Sequence, residues 1–182
     1  MKFSQFVDGK ELIAAAKEFA TKHHSGQTRK FSGKPYISHP SDVAALVEKY
    51  GGTPEMVAAA WLHDVVEDTG VSGGELVEIF GDKVANLVEQ VTNPPNLDKS
   101  KKSEYIAKKM VNMTPDALTL KLCDRLNNVS DFDTASPKFV SKYAPATKYI
   151  LDYLENSGLT LTPTQSKIVA AIREKIQPYE NT

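Results

Sequence analysis

One cysteine, one tryptophan and a formal net charge of −1 are the scarcest features of this 182-residue chain, and each narrows what it can be. Cys123 alone cannot close an internal disulfide, so the fold must hold by packing, as is usual in a reducing compartment. With 22 basic and 23 acidic residues there is no general attraction for a polyanion, and any affinity for phosphate must be local. No segment approaches the ~18 uninterrupted apolar residues of a membrane span, and the N-terminus lacks the apolar run of a secretory signal. Neither nucleic acid nor membrane is therefore an expected partner, and the expected location is the cytoplasm. Alternating strand patterns bounded by hairpin turns, internal repeats and low-complexity tracts are missing as well.

What is present is helical periodicity with clear punctuation. A hydrophobic content of 41% over this length suffices for one domain with a substantial core, so residues 1–182 are expected to form a single domain. Asp8 can cap a helix reaching His24, with Leu12, Ile13, Ala16, Phe19 and Ala20 as its apolar stripe. Thr53-Pro54, Thr114-Pro115, Ser136-Pro137 and Thr162-Pro163 each place a capping hydroxyl before a proline suited to a first turn. Ser72 caps a short helix ending at Phe80-Gly81, after which Asp82 begins another. Pro145 is expected to kink or divide the helix that follows Ser136. Residues 27–40, with two prolines and a glycine, read as an ordered loop. The expected class is all-α, a bundle of eight or nine helices.

Chemistry concentrates in Ala58-Ala59-Ala60-Trp61-Leu62-His63-Asp64-Val65-Val66-Glu67-Asp68-Thr69, where four ionisable side chains enter an apolar run. On a continuous helix His63 stacks over Glu67 and Asp64 over Asp68. Such a face suits a metal ion, with the two later carboxylates serving its water. Asp124 lies among Leu120, Leu122, Cys123 and Leu126, and a carboxylate there is costly to bury unless paired or bound to a cation. An ion pair with Arg125 or a lysine is the ordinary explanation, although adjacent helical side chains diverge. His39, His63, Asp64 and Asp124 gathered around one ion would give mixed nitrogen and oxygen ligation, which suits Mn²⁺, Fe²⁺ or Zn²⁺ better than Ca²⁺. Taken singly, a His-Asp dipeptide or a lone histidine is more often an ordinary core or capping feature.

In order along the chain, Tyr36-Ile37-Ser38-His39-Pro40, then Trp61 to Thr69, then Lys121-Leu122-Cys123-Asp124-Arg125-Leu126-Asn127-Asn128 resemble the HD-domain hydrolases of the RelA/SpoT alarmone family. The resemblance spans about residues 10–155 and is nearest to the small, hydrolase-only members of metazoan SpoT-homologue type. It implies a metal-dependent 3′-pyrophosphohydrolase that converts guanosine 3′-diphosphate 5′-di- or triphosphate to GDP or GTP and pyrophosphate. It further implies one Mn²⁺ on His39, His63, Asp64 and Asp124, with Glu67 and Asp68 serving the attacking water. Arg29 and Lys30 would hold the nucleotide, Arg29 by stacking on the base, and Asn128 would contact the ribose region.

Ser130 departs from the family, whose longer members usually carry an arginine there, so one contact is missing or supplied elsewhere. Two alternatives stay open at this level. One is hydrolysis of another nucleotide, such as a nucleoside monophosphate or a phosphorylated nicotinamide cofactor; the other is a non-catalytic nucleotide-binding regulator. The expected partner is a small-molecule nucleotide, and a homo-oligomer is compatible with the sequence. Lys99, Lys101, Lys102, Lys108 and Lys109 read as a solvated helix face, and His23-His24 as a helix end rather than ligands.

Overall fold

Four of the helices open on a Ser/Thr-Pro pair, and in the computed structural model, which describes residues 8–179, each pair behaves as its chemistry dictates. The hydroxyl accepts a backbone N–H that has no helical partner, while proline fills a position whose own N–H would be idle. Nine α-helices and one 3₁₀ turn result among the described residues, with no strand beyond an isolated bridge between Thr28 and Pro35. The chain divides into two compact units, one ending at Pro95 and the other beginning at Asn96.

In the first unit α1 (Gly9–His23), α2 (Ser38–Lys49), α3 (Pro54–Leu62), α4 (Val65–Thr69) and α5 (Gly73–Val91) follow in order. Every residue of α3 from Met56 to Leu62 is buried, and α1, α2 and α5 pack against it. A helix that is apolar on all sides belongs at the centre, and three successive alanines let its neighbours approach closely. The Asp8 carboxylate caps α1 by accepting from Lys10 and Glu11 N–H. Gly81 interrupts α5 at φ 81°, ψ 166°, where the sequence places one helix end and the next start.

The central helix is not continuous as expected. It stops at Leu62, and Val65 opens a separate short helix, with the His-Asp dipeptide at the break. The His63 ring explains this, because its Nδ1 lies 2.8 Å from the Ala60 carbonyl, the group that would accept the Asp64 N–H in an unbroken α-helix. The helix expected to be straight is thus broken at the His-Asp dipeptide, while Asp68 N–H still donates to the Asp64 carbonyl at 2.9 Å, one turn earlier.

In the second unit α6 (Lys102–Val111), α7 (Pro115–Ser130), α8 (Pro137–Asn156) and α9 (Pro163–Ile176) precede a 3₁₀ turn at Gln177–Tyr179. Here α7 is the buried element, α9 packs on it, and α8 packs on both α6 and α9. Of the kink or division expected at Pro145, division does not occur; α8 runs through it as one helix. Thr162 and Gln165 form a reciprocal capping box at the start of α9.

Candidate metal centre

In the first unit two histidines and a carboxylate converge. His39 is the second residue of α2 and His63 follows the last residue of α3, and they are only 3% and 2% exposed. Their Nε2 atoms lie 3.3 Å apart. Asp64 Oδ2 is 3.5 Å from His39 Nε2 and 3.2 Å from His63 Nε2. A carbonyl oxygen can only accept, so the contact with Ala60 places a His63 proton on Nδ1 and turns Nε2 toward the cluster. Metal-binding histidines are commonly held in this way, through a backbone carbonyl on the nitrogen that does not ligate. Two imidazole nitrogens and a carboxylate oxygen within 3.5 Å of one another form a donor set that fits a divalent transition ion.

Tyr36 joins this cluster. Its hydroxyl donates to Asp64 Oδ2 at 2.6 Å. Burial, followed by the negative charge of Asp64 and the bond to it, pushes the Tyr36 phenol well above its usual range, so it stays a donor. Asp68 is also raised, first by desolvation and next by the charge of Asp64, while Tyr36 and His24 hold it down. Glu67 is exposed, and its Oε2 accepts from Asn93 through the backbone N–H at 3.0 Å and the side-chain amide at 3.4 Å.

Arg29 and Lys30 occupy the loop before α2, which is ordered as expected. Arg29 N–H donates to the Lys34 carbonyl at 2.8 Å, Gly33 N–H donates to the Arg29 carbonyl at 3.1 Å, and Gly33 supplies the positive φ of the turn. Lys30 is exposed, with its ammonium 5.7 Å from the Phe31 ring centroid.

Asp124 and Asn128 belong to the second unit and sit one turn apart on α7. Asp124 is 8% exposed; Lys121 Nζ donates to its Oδ2 at 2.9 Å and Asn128 Nδ2 to its Oδ1 at 2.7 Å. The ordinary ion pair expected for this carboxylate is therefore made by a lysine. Arg125 turns elsewhere, donating to Thr147 Oγ1 at 2.9 Å with its guanidinium 5.2 Å from the Tyr143 ring centroid. Ser130 donates to the Leu126 carbonyl at 2.8 Å.

Sequence reasoning assigned no role to Tyr36, Asn93 or Lys121. Tyr36 carried a usable signal, since it stands three residues before His39. Asn93 carried none, because its meeting with Glu67 arises from tertiary packing across 26 residues.

The HD domain profile matches residues 16–156. Over 151 residues the chain is 40% identical to a probable guanosine-3′,5′-bis(diphosphate) 3′-pyrophosphohydrolase of Synechocystis sp., covering 80% of this chain and 20% of that protein. It thus spans about a fifth of the length of such long relatives. With the guanosine-3′,5′-bis(diphosphate) 3′-pyrophosphohydrolase MESH1 of Danio rerio it shares 32% identity over 168 residues, covering 91% of this chain and 90% of that one. A solved structure described as a metazoan ortholog of SpoT that hydrolyzes ppGpp superimposes with a TM-score of 0.81 at 24% identity, covering 94% of this chain and 97% of that one.

Proposed function

Because this chain belongs to the HD-domain family, we propose that it is a metal-dependent 3′-pyrophosphohydrolase acting on guanosine 3′-diphosphate 5′-di- or triphosphate. The products are pyrophosphate and GDP or GTP. The observation that carries this reading is the convergence of His39 Nε2, His63 Nε2 and Asp64 Oδ2 within 3.5 Å. Asp124 is the proposed fourth ligand, and Mn²⁺ is the proposed ion. In this reading residues 1–182 work as one catalytic domain, in the cytoplasm.

A divalent ion held there supplies Lewis acidity toward the 3′ diphosphate and toward water. Water attacks the phosphorus attached to the 3′ oxygen; a new P–O bond forms, the bond to the 3′ oxygen breaks, and that oxygen leaves with a proton. Glu67, anchored by Asn93, accepts the proton of the attacking water, and Asp68 assists. The raised affinity of Asp68 for protons suits this assistance. Arg29 and Lys30, presented on their ordered turn, bind the nucleotide through base stacking and phosphate charge. Asn128 contacts the ribose region while its amide also steadies Asp124.

The test is turnover of the Mn²⁺-loaded protein on a panel of 3′- and 5′-phosphorylated nucleotides. Guanosine 3′,5′-bis(diphosphate) should be hydrolysed best, yielding GDP and pyrophosphate. Glu67→Gln should lower turnover by ~10²–10⁴-fold with Mn²⁺ binding intact. Preference for a 5′-monophosphate or a nicotinamide phosphate would sink the substrate assignment. Binding without turnover would make the chain a regulator.

A further inference from the structure

We propose that Tyr36 is a positioning residue for the metal centre, acting through Asp64. The inference rests on the metal-binding reading above and extends it to a residue outside the ligand set. Its hydroxyl bonds the same carboxylate oxygen, Asp64 Oδ2, that faces both histidine nitrogens. A carboxylate oxygen has lone pairs enough for a hydrogen bond and a ligand, so the bond fixes the rotation of Asp64 without blocking it.

The Tyr36 backbone is itself held at both of its polar groups, its N–H donating to the Gln27 carbonyl at 2.9 Å and its carbonyl accepting from His39 N–H at 2.9 Å. Its ring packs against His24 at 4.9 Å between centroids and, edge to face, against His39 at 6.0 Å. His24, buried at the end of α1, is fixed through Nδ1 by Gln27 Oε1 at 2.8 Å, and Gln27 Nε2 in turn donates to the Asp68 carbonyl at 3.2 Å. The loop bearing Arg29 and Lys30 is thus tied to α4 at Asp68 and to the cluster at Asp64. Tyr36 is the member whose polar atom reaches a ligand. Loss of such an outer partner typically costs 10–100-fold in metal affinity or activity.

Tyr36→Phe keeps the ring and deletes only the donor. The experiment is calorimetric titration of metal-free wild type and Tyr36→Phe with Mn²⁺, alongside thermal midpoints of the metal-free proteins and turnover against Mn²⁺ concentration. The expected result is Mn²⁺ affinity at least ~10-fold weaker in Tyr36→Phe, an unchanged metal-free midpoint, and turnover recovered by added Mn²⁺ at unchanged KM for the nucleotide. Equal Mn²⁺ affinity in the two proteins overturns the proposal, as does a weaker affinity accompanied by a comparable loss of metal-free midpoint. If wild type itself binds no Mn²⁺, the metal-binding reading fails before Tyr36 is tested.

Discussion

Asp124 shows how far a single residue can be understood from its neighbours in sequence. Its position among leucines demands a partner, and the divergence of adjacent helical side chains disfavours Arg125; the structure supplies Lys121, three residues earlier on the same face. Which lysine it would be was not legible, because a long flexible side chain can reach several places and its final rotamer depends on what covers it. Removing one member of a buried ion pair leaves the other charge uncompensated. Lys121→Met should therefore destabilise the metal-free protein by about 3 kcal/mol or more in urea denaturation. A loss below about 1 kcal/mol would mean that Asn128 and other neighbours already support the carboxylate. His63 teaches the reverse lesson. Its place beside Asp64 in an apolar run was readable, but not that its ring would take the Ala60 carbonyl and end α3.

Among the elements, helix starts were the most legible features, because capping is local chemistry: a hydroxyl, a proline and a free N–H within four residues. Asp8, Thr53, Ser72, Thr114, Ser136 and Thr162 all cap as their sequences suggest. Interruptions were mixed. Gly81 breaks α5 as expected, whereas Pro145 leaves α8 undivided and no proline or glycine marks the break after α3. A proline costs a helix only its own hydrogen bond and some crowding, and favourable packing on both sides can outweigh that. At Gly81 the backbone itself is committed, with φ of 81° and ψ of 166°. Gly81→Ala should cost about 1–3 kcal/mol in urea denaturation, since a side chain is strained in that region. An unchanged midpoint would show that the two halves of α5 can merge into one helix.

For the whole molecule, two buried helices organise the two units: α3, marked by its alanine-rich apolar run, and α7, marked by its leucines. The apolar run of α3 and the leucines of α7 were visible in the sequence, but not that each would be the buried helix of its unit. The Asn93-Pro94-Pro95-Asn96 stretch, readable as a helix end, is also where the units divide. No helix among the described residues is long and apolar enough to cross a membrane. The central proposal is that His39, His63, Asp64 and Asp124 hold one divalent ion. Calorimetric titration of the metal-free protein with Mn²⁺ tests it most directly, comparing wild type with Asp64→Ala and Asp124→Ala. The account predicts one ion per chain in wild type and loss of that binding in both variants; full Mn²⁺ affinity in Asp124→Ala would contradict it.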